Sequence, residues 1–386
     1  MPWPKERRVL GQSTPRLDGP AKVSGTARYT ADQNPPGLCY GVVLYAPVGR
    51  ARITRLDLDP ARRMPGVRAV LGQKNAGAEI RYHGEYVAAV AAESEAQARD
   101  AVRAIVLQWE PLEALVTEEA AAAPGAPKIL PEGNARPADP RLRGDVDAAM
   151  ARAEVVFEGR FRTRVITHVC LEPHGAVAAW QGNKLTVWSS TQGVSGCRND
   201  LARSLQLPPA DVEVVCEYMG GGFGSKLGAF SEEMTAARLA REAGRPVKLM
   251  LDREMEHTYA GCRRSVIADV KLGADRQGNL LALDATTQGT GGIAGRGGIN
   301  LPYIYRCGAG RQLHTDLAIN AGSMRAMRAP GHPQASFVME SAMEGLALKL
   351  GIDPLELRRR NLPQNGLWPR QLTLGAERIG WASRPA

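Results

Sequence analysis

The sequence has few aromatic residues, and its few cysteines form no cluster. Phenylalanine, tryptophan and tyrosine together make up 5% of the 386 residues. The six cysteines lie far apart, and no two of them form a Cys-x-x-Cys pair. This spacing excludes a zinc knuckle or an iron–sulfur cluster built from neighbouring cysteines, and it is typical of reduced, buried thiols.

An export signal and a membrane-spanning segment are also missing. Arg7-Arg8 resembles the start of a twin-arginine signal, but no apolar stretch follows it. The formal charge of +9 favours anionic ligands, yet no long basic cluster interleaved with aromatic residues occurs. The sequence therefore predicts a cytoplasmic protein without a membrane span and without a nucleic-acid partner; export together with a partner subunit stays open.

Composition and periodicity divide the chain into four regions. With 44% hydrophobic residues, the chain can fill two or three cores. Residues 1–15 are predicted to form a loose tail, and residues 16–120 an α+β unit of short strands and one helix. Alanine, proline, glycine and mixed charge predict no packed element in 117–143, so residues 121–144 are interpreted as a surface linker. Residues 145–386 form a second predicted domain.

Several elements of the second domain have clear signals. A hairpin is predicted over 176–188 around Gly182-Asn183, and a strand over 212–216. Helices are predicted over 231–242 and 336–350, where apolar residues recur at helical spacing. Asp353, followed by proline, is a good N-cap for a further short helix.

A glycine-rich loop, residues 219–226, lies between that strand and the first of those helices. Its sequence is Met-Gly-Gly-Gly-Phe-Gly-Ser-Lys. It does not match a Walker loop, because Ser225 precedes Lys226 instead of following it, and it does not match the dinucleotide-binding motif, because Ser225 occupies the last glycine position. Its amides can still face a ligand beside a helix start, and the alternative is a simple strand-to-helix turn.

Two kinds of polar cluster accompany the loop. His168-Val-Cys-Leu-Glu-Pro-His174 is the densest, and without metal-ligand spacing it is interpreted as a buried hydrogen-bonded network at a strand end. The arginine groups, Arg325 with Arg328 and Arg358 to Arg360, suit the recognition of an anion, although arginines in such groups are usually surface residues.

The joint pattern resembles the molybdenum hydroxylases, the xanthine dehydrogenase and aldehyde oxidase family. Gln192, the glycine loop, Arg328 and Arg360 occur in the order and approximate spacing of that family. Residues 16–29, 65–70 and 84–90 resemble its α/β-hammerhead domain, and residues 168–173, 325–334 and 353–361 resemble its first molybdopterin-binding domain. The resemblance therefore implies an α+β fold in which a hammerhead domain precedes the first molybdopterin-binding domain of the aldehyde oxidase type.

The resemblance also implies which residues bind the cofactor, molybdenum–molybdopterin in its simple or dinucleotide form. Gln192 matches the glutamine whose side-chain amide bonds an oxygen ligand of the metal. Phe223 and Gly224 match loop residues whose backbone amides approach the cofactor, and Gly222 allows that approach. Arg360 matches a cofactor-binding arginine. No residue of this chain is implied as a direct metal ligand.

Substrate and partners follow from the same resemblance. Arg328 matches an arginine that faces the substrate in purine-oxidising members, but Leu227 replaces their substrate-contacting glutamate. We therefore expect oxidation of an aldehyde or an N-heterocycle, with water as the oxygen source.

The end of the sequence resembles an internal boundary of the family. Gly375 to Trp381 match the seam before the second molybdopterin-binding domain, which carries the general-base glutamate, so no catalytic residue is expected in this chain. The expected partners are a C-terminal molybdopterin-binding polypeptide, an iron–sulfur subunit and an FAD subunit. The alternative is a truncated, non-catalytic remnant or a cofactor-binding module.

Overall fold

Two large β-sheets, each covered by helices, hold most of the buried apolar residues. A computed structural model of the chain describes residues 6, 8–364 and 366–384. Within these residues, one sheet has seven strands and the other six. No helix of the described part of the chain is long and apolar enough to cross a membrane.

The bounds of the elements, in chain order, are as follows. The strands are β1 Cys39–Tyr45, β2 Ala51–Asp57, β3 Val67–Gly72, β4 Glu79–Ile80, β5 Tyr86–Ala92, β6 Val106–Pro111, β7 Ala135–Pro137, β8 Arg141–Arg143, β9 Val155–Thr163, β10 Ile166–Thr167, β11 Gly175–Gln181, β12 Lys184–Ser189, β13 Val212–Val215, β14 Val247–Met250, β15 Cys262–Arg263, β16 Val266–Ala274, β17 Leu280–Gly289 and β18 Ala309–Leu317. The helices are α1 Gly19–Val23, α2 Asp59–Arg62, α3 Glu95–Ala104, α4 Glu118–Ala122, α5 Val146–Ala151, α6 Val194–Leu205, α7 Ser231–Ala243, α8 Arg253–Thr258, α9 His332–Leu350, α10 Pro354–Asn361 and α11 Leu367–Arg378.

The seven-stranded sheet joins strands of both predicted domains. Its order is β13-β12-β11-β14-β1-β5-β3, and β1 pairs with β14 in parallel, with Cys39 opposite Val247. The apolar face of α7 packs on β11 and β14, where Leu239 and Ala240 are buried. The N-terminal α+β unit and the second domain therefore share one sheet and one core. The domain boundaries predicted from composition therefore assign strands of this one sheet to two different domains.

The second sheet corrects the prediction for residues 117–143. Its order is β7-β18-β17-β16-β9, with β8 also pairing with β18. The prediction that no packed element occurs there was wrong, because α4, β7 and β8 all lie in it. Strands β7 and β8 have few apolar side chains, but their backbone groups complete the hydrogen bonding of the β18 edge. Pairing partners distant in sequence, and not composition, make this segment ordered.

The predicted elements of the second domain are confirmed, with small changes of boundary. β11 and β12 form the hairpin around residues 182–183, and α7 begins at Ser231. Helix α9 begins at His332, earlier than predicted, and buries Val338, Met339 and Leu346 against the second sheet. The Asp353 side chain accepts hydrogen bonds from two backbone amides at the start of α10, as an N-cap does.

Candidate functional site

The glycine loop makes a tight turn between β13 and α7. The Ser225 N–H donates to the Gly222 carbonyl over 2.8 Å, which closes a four-residue turn. The two central residues, Phe223 and Gly224, have φ of 52° and 107°. Both values lie in the left-handed region, as in a type I′ turn. For Phe223 this conformation costs on the order of 1–3 kcal/mol, a strain that is common at functional sites.

Gln192 is held by the loop through one end of its side-chain amide. The chain leaves β12 just before Gln192, whose backbone N–H donates to the Lys226 carbonyl over 2.7 Å. The Gln192 Oε1 accepts the Gly224 N–H at 2.7 Å and the Lys226 N–H at 3.4 Å. A Cβ atom at Gly222 would lie 2.5 Å from this Oε1, so any larger residue there would have to displace the Gln192 side chain. The Nε2 group of Gln192 has no partner among the described residues, and the residue is exposed.

The segment before α9 lies against the other side of the loop. The Arg328 N–H donates to the Phe223 carbonyl over 2.6 Å. The Arg328 carbonyl oxygen accepts a hydrogen bond of 2.8 Å from the guanidinium of Arg263. A Cβ atom at Gly224 would lie 2.7 Å from the Ala326 carbonyl oxygen, so the close approach of the two segments also requires glycine. The Arg328 side chain is exposed and makes no ion pair within the part of the chain that the structure describes.

A fully buried lysine holds the end of the loop from the protein interior. Lys226 is 1% exposed, and its Nζ donates to the Ser190 hydroxyl over 2.6 Å and to the Glu172 carbonyl oxygen over 2.8 Å. Burial lowers the pKa of Lys226, and the nearby Glu172 carboxylate acts in the opposite direction. Lys226 thus supports the loop from the protein interior through these hydrogen bonds.

The predicted buried network around His168 and His174 is confirmed. The His174 Nδ1 lies 2.8 Å from the Glu256 Oε1, and its Nε2 lies 2.9 Å from the Ser225 Oγ. The His168 Nε2 donates to the Ala326 carbonyl over 2.8 Å, and burial lowers the pKa of His168. For Glu256, burial would raise the pKa, but the hydrogen bond and charge of His174 outweigh it and lower the pKa.

Arg325 is not free to bind an anion, in contrast to Arg328. Its guanidinium pairs with Glu232 on α7 at 2.8 Å, and it lies over the Phe230 ring at 3.7 Å from the centroid. Both members of this pair are buried or nearly so, since Arg325 and Glu232 side chains are 9% and 0% exposed. Arg325 therefore fixes the segment that carries Arg328 onto α7.

The structure brings most of the predicted site residues to one surface. Gln192, the three loop residues 222–224 and the Arg328 backbone form one hydrogen-bonded unit. Leu227 follows the loop directly, and 53% of it is exposed; Phe223 is 42% exposed. The surface therefore combines free polar donors with exposed apolar side chains.

Arg360 does not belong to this surface. It donates to the Gln277 carbonyl and pairs with Glu356 on its own helix, at the turn that joins β16 and β17. The Arg328 carbonyl is bound by Arg263, just before the opposite end of β16. Because the nine residues of β16 span about 30 Å, Arg360 is far from the loop. Its predicted role as a cofactor-binding residue has no support from its position.

Two residues of the buried network were not singled out by the sequence. Ser225 was considered only as a mismatch to phosphate-loop motifs, and Glu256 not at all. The one available signal for Glu256 is Asp252, a helix N-cap that places a short helix carrying Glu256 beside the end of β14. No group of three His, Cys, Asp or Glu side chains within residues 8–364 and 366–384 is arranged to hold a metal ion.

Comparisons with known proteins agree with this architecture. Residues 130–362 match the family model described as the molybdopterin cofactor-binding domain, and residues 24–79 match that of the aldehyde oxidase and xanthine dehydrogenase a/b hammerhead domain. The solved quinoline 2-oxidoreductase of Pseudomonas putida 86 superposes with a TM-score of 0.89 at 25% identity, covering 98% of this chain and 55% of that one.

Curated relatives point to the same family. The aldehyde oxidoreductase molybdenum-binding subunit PaoC of Escherichia coli K12 is 32% identical over 98% of this chain and 55% of its own length. The nicotinate dehydrogenase large molybdopterin subunit of Eubacterium barkeri is also 32% identical, over 94% of this chain and 91% of its own length. The chain thus spans about half the length of PaoC but nearly all of the second relative. It belongs to the aldehyde oxidase and xanthine dehydrogenase family of molybdopterin-binding proteins, with the hammerhead domain followed by the molybdopterin-binding domain.

Proposed function

We propose that Gln192, the turn at residues 222–224 and Arg328 form one wall of a molybdopterin site. The observation that carries this proposal is the hydrogen bond that the Gly224 N–H donates to the Gln192 side chain. It donates to the Gln192 Oε1 over 2.7 Å, so it is not free to approach the cofactor as predicted. Instead it turns the Nε2 group of Gln192 outward as a donor, and the neighbouring Phe223 N–H has no partner among the described residues.

The chemistry of this wall fits the cofactor. A pterin phosphate with an oxygen-bearing metal centre presents acceptors and negative charge, and preorganised amides and a guanidinium match both. Gly222 and Gly224 let the loop pack closely against Gln192 and Ala326, which fixes the orientation of the turn. When bound, the cofactor would supply the redox chemistry. The Gln192 amide and the Phe223 N–H would orient it, and Arg328 would offset its charge.

The exposed apolar side chains favour an aldehyde or an N-heterocycle as substrate. Leu227 offers no hydrogen bond to a polar ring substituent, and with Phe223 it makes the nearby surface apolar. The two curated relatives act, by name, on an aldehyde and on nicotinate. A small substrate with one reactive carbon and an apolar body suits this surface better than a purine with several polar edges.

The proposed complex contains a second molybdopterin-binding polypeptide or further sequence that contributes the general base. A relative called a large molybdopterin subunit matches this chain over 91% of its own length, which supports a molybdopterin site shared between subunits. An iron–sulfur subunit and an FAD subunit would carry the electrons away. The six cysteines of the chain are all free thiols, which favours the cytoplasm as the compartment.

The proposal is tested by purifying the chain with the product of the adjacent reading frame. We expect a complex that contains molybdenum and pterin, in which acid release of a nucleotide would identify the dinucleotide form. We also expect aldehyde oxidation that is lost when the cells grow without molybdate. A well-folded complex with neither metal nor activity would refute the catalytic function and favour a remnant or a binding module.

Replacing Gln192 by glutamate separates its two roles. The carboxylate can still accept the Gly224 and Lys226 amides, but it cannot donate to the cofactor. Because a hydrogen bond to a charged partner contributes about 1.5–3 kcal/mol, we expect a 10- to 100-fold loss of kcat with little change in thermal midpoint. Gln108→Glu, on the exposed part of β6, makes the same charge change away from the site and should retain activity. Equal kcat for both variants would remove Gln192 from the site.

A further inference from the structure

We infer that a cleft between the N-terminal α+β unit and α7 binds a small dianion, a phosphate ester with an aromatic or apolar body. The cleft has a volume of about 480 Å³, which lies in the range of small-molecule sites. Its lining does not include Gln192, the turn at residues 222–224 or Arg328. The inference therefore goes beyond the proposed function and does not rest on it.

One wall of the cleft comes from helix α7. Ser231, Thr235 and Arg238 lie on the same side of this helix, because they follow one another at helical spacing. Arg238 is exposed, and its guanidinium makes no ion pair or hydrogen bond within the part of the chain that the structure describes. Its N–H groups are therefore available to a ligand in the cleft.

The opposite wall carries two further cations around one buried carboxylate. The Arg81 Nε and Nη2 donate to the Glu85 Oε1 over 2.9 and 2.7 Å, and the Lys74 Nζ lies 3.2 Å from the Glu85 Oε2. The Arg81 backbone N–H also donates to this Oε2 over 2.7 Å. Glu85 is 4% exposed, whereas the Arg81 side chain is 48% exposed and its Nη1 has no partner among the described residues. Arg81 can therefore hold Glu85 and still donate to a ligand.

The charges of the lining residues do not balance. Lys74, Arg81 and Arg238 are positive, and Glu85 is the one acidic residue among the described residues that line the cleft. The lining thus has two positive charges in excess, which a dianion would neutralise. Guanidinium groups bind the oxygens of phosphate through paired hydrogen bonds. Because a phosphate ester carries both of its charges on a single group, it is the ligand class that this lining favours.

Tyrosine rings supply the apolar part of the lining. Tyr82, Tyr86 and Tyr259 line the cleft together with Met234. Aromatic rings of this kind can pack against an aryl group of the ligand. Burial raises the pKa of Tyr82 to about 12, so its hydroxyl keeps its proton at neutral pH and can donate a hydrogen bond. A phosphate ester with an aryl body would therefore use both the charged and the apolar parts of the cleft.

Titration of the purified full chain with phenyl phosphate, followed by calorimetry, tests the cleft. At about pH 8 a phosphate monoester is a dianion, and low ionic strength limits the screening of exposed charges. We expect saturable binding of one phenyl phosphate per chain. Inorganic phosphate, which lacks the ring, should bind more weakly, and phenol, which lacks the charge, should not bind.

Arg238→Gln identifies the site with little risk to the fold, because this guanidinium has no partner to lose in the described part of the chain. We expect phenyl phosphate to bind at least about tenfold more weakly, from the loss of a charge-assisted hydrogen bond, while the thermal midpoint without ligand stays unchanged. Arg238→Lys keeps the charge but loses the planar fork, so its affinity should be intermediate. Arg370→Gln, on α11, removes an exposed guanidinium outside the cleft and should bind like the wild type.

Arg328→Gln separates the cleft from the proposed molybdopterin wall. A loss of affinity in Arg238→Gln with retained affinity in Arg328→Gln and Arg370→Gln supports the cleft. A loss in Arg328→Gln alone would place phenyl phosphate at the wall, which overturns the cleft and leaves the proposed function standing. Equal losses in Arg238→Gln and Arg370→Gln would assign binding to the net charge of the chain. That result, or a wild type that does not bind phenyl phosphate, would also overturn the inference.

Discussion

At the scale of single residues, a buried carboxyl on α7 joins the end of β12 to the residue that precedes α7. Glu233 on α7 is 3% exposed, and its carboxyl contacts the Ser189 hydroxyl at 2.9 Å and the Phe230 N–H at 2.8 Å. Burial, followed by the neighbouring Glu232 carboxylate, raises the pKa of Glu233 to about 8. Glu233 is therefore neutral at pH 7, while Glu232 keeps its charge opposite Arg325.

The raised pKa of Glu233 predicts a stability that falls as pH rises. Between the ordinary pKa of 4.5 and the folded value of about 8, the folded state holds a proton that the unfolded state has lost. The free energy of unfolding then falls by up to about 1.4 kcal/mol per pH unit in this window. Glu233→Gln mimics the neutral acid and should remove this fall, so thermal midpoints should diverge from wild type between pH 5 and pH 8, with the variant higher at pH 8.

The control for Glu233 is Glu110→Gln, an exposed glutamate on β6. Its thermal midpoint should follow the wild-type pH dependence. Parallel curves for wild type and Glu233→Gln would contradict a neutral Glu233 in the folded state.

At the scale of elements, the start of α10 is fixed by one side chain. The Asp353 Oδ1 accepts the Leu355 and Glu356 N–H groups at 2.8 and 3.1 Å. Asp353→Ala leaves these donors without a partner and should lower the free energy of unfolding by about 1 kcal/mol. Asp353→Asn keeps the cap, and it loses the exposed ion pair to Arg384 and the contact of the Trp381 Nε1–H with Oδ2, so it should cost less than Asp353→Ala. Urea unfolding curves compare the variants; equal losses for Ala and Asn would assign the effect to the ion pair and the Trp381 contact.

The elements that sequence could predict are those with a local signal. Helix α9, the β11–β12 hairpin and the α10 cap each carry their own periodicity or turn residues. Strand β18 was missed because its charged and polar residues alternate weakly, and its place is set by pairing with β17 and β7. The linker prediction failed for the same reason.

The candidate site shows the same division between local and distant signals. The glycine loop, Gln192 and Arg328 could be found because their residue types are unusual in this order. The contact of Glu256 with His174 joins positions 82 residues apart, and no local sequence pattern predicts it. The position of Arg360, far from the loop, likewise depends on how the β16–β17 hairpin meets α10.

At the scale of the whole molecule, the site forms where the two sheets meet. The glycine loop and Gln192 extend from strands of the seven-stranded sheet, whereas Arg328 precedes α9, which packs on the second sheet. The hydrogen bond from the Arg328 N–H to the Phe223 carbonyl, 2.6 Å long, joins the two. The wall therefore forms only when both cores are folded, and a substitution that destabilises either core should disrupt it.

The central claim is that the turn at residues 222–224 is a wall of the molybdopterin site, and cofactor retention tests it most directly. Gly222→Val should displace Gln192, because a Cβ there would lie 2.5 Å from its Oε1. Gly310→Val is the control, since a Cβ on this strand glycine meets nothing within 4 Å. Molybdenum and pterin are measured per mole of purified complex. The account predicts that Gly222→Val loses at least nine-tenths of both, while Gly310→Val retains them; such a loss requires binding to weaken by at least about 1.4 kcal/mol. Equal molybdenum and pterin in the two complexes would contradict it.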